Sequence, residues 1–326
     1  MNKYYILWLL DQKLNNNYIV HDILKLIFNK PITRTIMFLK IKNNEFGNMK
    51  DGYGSIENWN VSNVHDMSKM FYNCTNFNQD ISDWDVRNVY NMSMMFLECR
   101  KFNQNISRWD VSKVTNMYKM FQRCHKFNQN VTNWNVHHVQ NMSVMFFECY
   151  EFNQNIANWN VSKVTNMSHM FYRCYEFNHD ISKWNVKNVK CMKSMFSGCH
   201  NFNKNVINWN VSNVTDMSFM FYDCHNFNQN ISKWNVQNVK FMNHMFYNCY
   251  NFNQNVIEWN VQNVKDIREM FCNCKKFNQN ISKWNIKNAG TAAGLLFGCI
   301  NFNFDLSSWN KTYLFFDSKS QSNVFF

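Results

Sequence analysis

The sequence predicts an α/β repeat solenoid, with a parallel sheet of short strands along one side, short helices along the other, and a helical cap at the N-terminus. Three columns of residues predict it. Tryptophan stands at 59, 84, 109, 134, 159, 184, 209, 234, 259, 284 and 309, an interval of 25 every time. Cysteine keeps that interval from Cys74 to Cys299, and phenylalanine from Phe77 to Phe302. No insertion breaks the register across about ten units. A strict period makes each unit one coil of a stack that grows along one axis, so the 326 residues do not have to divide into two ordinary domains.

Each unit carries two periodicities. Met117, Met120, Phe121 and Cys124 fall at i, i+3, i+4 and i+7, one face of a short helix. Thr115 and Asn116 precede it as N-cap residues, and Asp66, Asn91, Asn141, Asn166, Asp216 and Asp266 are the equivalents of Asn116. Cys191 and Phe241 take that place in two units and cannot cap in the same way. Trp109 and Val111 alternate with Asp110, which predicts a strand of three or four residues pairing in parallel from coil to coil, about 4.8 Å apart. Phe127 to Asn130 reads as the returning turn. Glycine and proline are scarce, at 7 and 1, so asparagine is expected to build the turns, because it tolerates positive φ and hydrogen-bonds its own backbone. Stacked asparagines are also expected to bond coil to coil.

The indoles of Trp84, Trp109, Trp134, Trp159, Trp184, Trp209, Trp234, Trp259 and Trp284 are expected to form a buried structural ladder. Burying one indole removes roughly 150–250 Å² from water, at most about 4–6 kcal/mol per unit.

The skeleton Ile106-x-x-Trp-x-Val-x-x-Val-x-x-Met-x-x-Met-Phe-x-x-Cys124 resembles a leucine-rich repeat written with other residues, in particular the BspA-like repeat of bacterial surface proteins. Trp209-Asn-Val-Ser-Asn-Val-Thr-Asp-Met-Ser-Phe-Met-Phe-Tyr-Asp-Cys-His-Asn-Phe227, followed by Asn228-Gln229, is more closely similar to the 25-residue repeat of Mycoplasma surface lipoproteins. The resemblance covers about residues 59–310. It implies a surface or adhesion-type interaction protein. Members of this class also occur in large DNA viruses and protists. The chain departs from the bacterial pattern by lacking a lipoprotein signal, since no cysteine precedes Cys74.

The repeat sets the expected domains: an N-terminal helical cap or small adaptor over 1–50, the solenoid over 51–310, and a tail over 311–326. Residues 4–14 and 18–28 read as helices, the second ended by Asn29-Lys30-Pro31, and 32–41 as a strand or third helix. Ile19 to Phe28 resembles the start of an F-box, without its proline, which is the basis of the adaptor alternative. Tyr4 to Leu10 is apolar but too short to span a bilayer, and no small-residue cleavage site follows it. A cytoplasmic or virion/host-cell-associated location is therefore expected over a lipid-anchored one. At the other end Ala289, Gly290, Ala292, Ala293, Gly294 and Leu295-Leu296 replace the regular pattern, as in a closing coil.

Net charge is +12 and aromatic content 17%, which fits an ordered basic protein. Nucleic acid is disfavoured as a partner, because the aromatics are expected to face inward and offer no stacking platform. The cysteine column reads as free buried thiols. Coils 8–10 Å apart on a helical side would hold cysteines beyond disulfide reach. Histidines 125, 200 and 225 read as surface residues, interrupted by tyrosine, and not as a metal column. No phosphate loop, nucleophile elbow or carboxylate pair is visible, so neither an enzyme nor a cofactor is expected.

Variable positions beside the strand are the candidate binding rows: Asp83, Arg108, Lys183, Lys233 and Lys283 before tryptophan, and Arg87, His137, Lys187, Gln237 and Lys287 after the strand. If the sheet lines the inner curve, these rows form the concave face, where a protein or an anionic glycan would bind a monomer. The expected function is an extended interaction surface of the adhesion or host-contact type. The alternative is an intracellular adaptor whose first 50 residues dock one partner while the solenoid selects another.

Overall fold

The computed structural model describes residues 30–45 and 53–309. The expected helices over 4–14 and 18–28, the F-box-like segment, and the tail from 311 onward lie outside the described residues. Over 32–41 the alternatives resolve into a helix, α1, Arg34–Lys42, capped by the Thr33 side chain. Pro31 bridges Asn60 in parallel, which lays this segment against the first coil. A short 3-10 turn, Ile56–Asn58, leads into Trp59.

The solenoid is present, and its register is as the sequence predicts. Trp, Val, Met, Phe and Cys columns all point into one continuous core. Neighbouring indoles stack face to face, as in Trp84–Trp109 and Trp209–Trp234, with centroids 6.5 and 6.4 Å apart. From Trp84 to Trp309 each indole Nε1 also donates to a carbonyl in the preceding coil, such as Trp109 to Ile81 at 3.1 Å. Each thiol of the column from Cys99 to Cys299 does the same, as Cys124 does to Phe96 at 3.0 Å.

The assignment of strand and helix within the coil is corrected. The segment 117–124 is not a helix. Its amides alternate between two acceptors. Met120, Gln122 and Cys124 donate three residues back, to Met117, Lys119 and Phe121, while Met117, Lys119, Phe121 and Arg123 donate to Asn141, Ser143, Met145 and Phe147 of the next coil. This is a chain of tight turns carrying a parallel ladder, with one bridge per pair of coils at Asp66↔Asn91, Asn91↔Asn116 and so on to Phe241↔Asp266. The expected strand at Trp109–Val111 is extended, yet no backbone hydrogen bond links it to its neighbours. The i, i+3, i+4, i+7 spacing reported correctly which side chains face inward. It could not report where the amides go, because a turn chain of this kind buries the same positions as a helix.

The turns require two residues per coil at positive φ, as in turns whose third residue is left-handed. These are Lys69 and Asn73, Met94 and Glu98, Lys119 and Arg123, and so on, with φ near +60°. Glycine fills such a place only at 198, 294 and 298. Asparagine fills it at 73, 248 and 273, so most left-handed positions are strained L-residues and not the expected asparagines. Asparagine and aspartate instead accept the amide two residues on, as Asn105 does from Ser107 and Asn116 from Tyr118, both at 3.0 Å. Asparagine also builds the expected ladder, since Asn128 N–H donates to Asn103 Oδ1 at 3.0 Å and Asn153 N–H to Asn128 Oδ1 at 3.0 Å.

Column spacing shows how the stack bends. Like rings on the ladder side sit closest, Tyr150–Tyr175 at 5.1 Å, Tyr222–Tyr247 at 4.8 Å and His200–His225 at 4.6 Å. The inner Phe96–Phe121 pair is at 5.5 Å, Phe152–Phe177 at 6.1 Å, and the indoles opposite at 6.5 Å. Coils therefore converge on the ladder side and splay on the tryptophan side, and the ladder lines the inner face. The expected 8–10 Å separation does not occur, and it is not what keeps the thiols free. They point at carbonyls of the preceding coil instead.

Two stability outcomes follow. Trp184→Ala removes a stacked indole that is 3% exposed, and urea unfolding should register a loss of about 4 kcal/mol. Val144→Gly relieves a β-branched residue held at φ 61° and should raise stability by about 1 kcal/mol, whereas Asn248→Gly, at φ 58°, should give no gain.

Candidate functional site

The expected binding rows lie on the wrong side of the stack to be concave. Asp83, Arg87, Arg108, Lys183, Lys187, Lys233, Gln237, Lys283 and Lys287 are exposed beside the tryptophan segment, which forms the splayed outer face. His137 is half-buried there, and its Nδ1 is enclosed without a hydrogen-bond partner. Their inner-curve placement assumed that the sheet ran through Trp109–Val111, and the ladder runs through the opposite segment. Arg87 is held by Asp85 at 2.7 Å, and that hydrogen bond and charge raise its guanidinium pKa. The rows are brought together as a surface, with the lysines gathered toward the C-terminal half.

The inner face carries a different chemistry, which column-by-column reading of the sequence had missed. One residue past each buried cysteine stand His125, Tyr150, Tyr175, His200, His225 and Tyr250. They form one unbroken stack of half-buried rings with centroids 4.6–5.1 Å apart. Lys275 closes it, its Nζ 4.9 Å from the Tyr250 centroid. The tyrosines taken as interruptions of a histidine column are members of it. The signal was in the sequence: every position there from 125 to 250 at the 25-residue interval is histidine or tyrosine. Further ring pairs stack beside it, Phe147–Tyr172 at 4.4 Å and Tyr222–Tyr247 at 4.8 Å in one column and Phe219–His244 at 4.5 Å in another. Within each stack the rings cover one another's faces, so their edges, hydroxyls and imidazole nitrogens are what solvent meets.

One column of charge on this face is paired. Glu98, Arg123, Glu148 and Arg173 stand in one left-handed column and alternate in sign. Arg123 reaches Glu98 at 2.6 Å and Glu148 at 2.9 Å, and Arg173 reaches Glu148 at 3.5 Å. Beyond Gly198 the column continues as side-chain hydrogen bonds, Asn248 Nδ2 to the Asp223 carboxylate at 2.7 Å and Asn273 Nδ2 to Asn248 Oδ1 at 2.8 Å. Burial pushes the Glu98 carboxyl up, but hydrogen bonds from Arg123 and Arg100 outweigh it and hold it below its ordinary value. Burial lowers the imidazoles of His125, His169, His225 and His244, with Arg100, Lys193 and His200 adding to the effect at the first three. Tyr247 is pushed up to about 12, chiefly by burial. Each of these shifts favours the uncharged ring. Such a face costs little to desolvate, and its Tyr, Phe and Arg are residue types enriched at protein interfaces.

Among the described residues no group of three or more His, Cys, Asp or Glu is placed to hold a metal ion, and no helix is long and apolar enough to cross a membrane.

The family model for "Mycoplasma protein of unknown function, DUF285" matches residues 40–158, 140–257 and 220–315. No curated protein matches the chain. Among solved structures it is similar to a leucine-rich repeat protein of T. pallidum, at 13% identity and a TM-score of 0.28, over 43% of this chain and 72% of that one. It is also similar to a leucine-rich cell surface protein of Faecalibacterium prausnitzii, at 15% identity and a TM-score of 0.28, over 66% of this chain and 77% of that one. Likeness at that level does not fix the path of the chain.

The thiol column gives a direct check on this geometry. Cys74 and Cys191 are half-buried and the other ten cysteines buried, and burial raises the pKa of every one of the twelve. Native protein treated with a thiol reagent near pH 8 should label at Cys74 and Cys191 only, more slowly than free cysteine, and denatured protein at all twelve.

Proposed function

The chain belongs to the Mycoplasma protein family DUF285, and from that premise we propose that it acts as a binding protein, with no catalytic step, whose ladder-lined inner face holds a protein partner. The observation that carries this reading is the continuous stack of His125, Tyr150, Tyr175, His200, His225 and Tyr250 beside a charge-neutralised column. Such a face offers rigid aromatic area at low desolvation cost, which is what a protein interface needs at its centre. The biological setting is adhesion or host contact, in line with the resemblance of the repeat to those of bacterial surface proteins. The protein works as a monomer, and residues 30–45 serve as the N-terminal cap of the stack. The outer lysines, Lys183, Lys233 and Lys283 among them, bear no ion pair with any described residue and are a separate, weaker site for an anionic glycan.

Panning a phage-displayed peptide library against the full chain tests the principal site. Selected peptides should bind the Tyr150→Ala/Tyr175→Ala variant about thirtyfold more weakly, the equivalent of roughly 2 kcal/mol, and should be indifferent to Lys183→Glu/Lys233→Glu/Lys283→Glu. Immobilised heparin should show the opposite preference. Peptides that follow the lysines and ignore the tyrosines would sink the inner-face reading.

A further inference from the structure

One coil interrupts the ring columns of the inner face. After Phe147 and Tyr172 the next rung is Ser197, and rings resume at Tyr222 and Tyr247. In the column beside it His169 is followed by Ser194, and rings resume at Phe219 and His244. Gly198 takes the third place in the same coil. Phe147 stacks on one face of Tyr172 at 4.4 Å, and Tyr247 on one face of Tyr222 at 4.8 Å. No described ring stacks on the faces that Tyr172 and Tyr222 turn toward Ser197. Two coils of a ladder span about 9.6 Å, so these faces bound a slot one ring wide. A ring placed midway would lie about 4.8 Å from each, a spacing the column already shows.

The floor of the slot is polar. Ser194 and Ser197 are each 4% exposed, and neither hydroxyl is hydrogen-bonded to a described residue. Buried hydroxyls are ordinarily satisfied, so these two call for a polar group from outside. Arg173 and Asp223 stand on either side of Gly198. The Arg173 side chain is 48% exposed, and its contact with Glu148 at 3.5 Å draws the guanidinium toward the preceding coil. Asp223 accepts from Asn248 through Oδ1 at 2.7 Å. A donor at one edge of the slot and an acceptor at the other match the carbonyl and amide of a peptide backbone.

Resting on the inner-face reading, we propose that this slot takes one tyrosine side chain of the partner protein, inserted as the missing rung between Tyr172 and Tyr222. Two facing rings select a flat, aromatic occupant. Tyr172 and Tyr222 are rooted in the stack, whereas the partner's ring enters from outside, so its tip points at the floor. There the phenol hydroxyl bonds Ser197 Oγ. A phenylalanine would stack equally well but leave the serine hydroxyl without a partner, which is how a hydroxyl-lined site rejects the analogue that lacks one. The partner's backbone beside the inserted residue then crosses the rim between Arg173 and Asp223.

N-acetyltyrosinamide, titrated into the full chain to the limit of its solubility and followed by amide chemical shifts, tests the proposal. It should bind in the millimolar range, with saturable shifts at the Ser197 and Gly198 amides. N-acetylphenylalaninamide should bind about fivefold more weakly, and in Ser197→Ala the two should bind alike. Ser197→Tyr supplies the missing ring from the chain itself and should abolish binding of both. The Phe121 amide, bonded to Met145 at 2.9 Å in a distant coil, reports that each variant is folded. Tyr150→Ala/Tyr175→Ala leaves the slot intact and should bind N-acetyltyrosinamide as the native chain does, so failure here is distinct from failure of selected peptides to follow those two tyrosines. Absence of saturable shifts at Ser197 and Gly198, equal affinity of the native chain for the two probes, or shifts that persist in Ser197→Tyr overturns the proposal.

Discussion

The structure depends on two stacking interactions with different natural spacings, tied together in every coil. On one side, backbone amides reach carbonyls of the next coil at 2.7–3.1 Å over Met117 to Arg123, which holds adjacent chains near the ~4.8 Å of a sheet. On the other side indoles meet at 6.4–6.5 Å in offset stacks and donate Nε1 to the previous coil. The two cannot both be satisfied in a straight pile. The coils converge where the shorter spacing rules and splay where the longer one does. Phenylalanine columns between them, at 5.5 and 6.1 Å, grade from one to the other. Curvature is thus written into the choice of tryptophan on the outer side and hydrogen bonds on the inner side.

The same constraint explains why part of the fold was legible in the sequence and part was not. Burial is a property of columns, and columns are visible at an interval of 25. Trp109, Val111, Met117, Met120, Phe121, Cys124 and Phe127 are all at most 3% exposed, as their repetition requires. Backbone hydrogen bonding is a property of the space between coils, which one coil's pattern does not encode. Met117 to Cys124 satisfies a helical template and is nevertheless a chain of turns, because every second amide finds a better acceptor next door. The strand was placed at Trp109 because alternation marks extended backbone. Extended backbone forms a sheet only where neighbours approach closely, and the bulk of the indole keeps them apart. Misplacing the ladder reversed inside and outside, which moved the candidate site to the outer lysines and left the His125 to Tyr250 column unrecognised.

The strained positions lie on the inner face, and their side chains show what the strain supports. A coil built with glycine at both left-handed places would cost less to fold, since an L-residue there costs about 1–2 kcal/mol. It would also present a bare inner face. Instead Glu98, Arg123, Glu148 and Arg173 link four coils by ion pairs, and Asp223, Asn248 and Asn273 link three by hydrogen bonds. Phe219 and His244 stack in the other left-handed column. Glycine enters at 198, where an added Cβ would come within 3.0 Å of Arg173 Cγ and the ion-pair column ends. It enters again at 294 and 298, in the closing coil. Contacts between coils offset the strain at these positions, whereas Val144 carries its strain without such a contact. Side chains of the inner face are therefore held, where they meet, by contacts across coils against the preference of their own backbone.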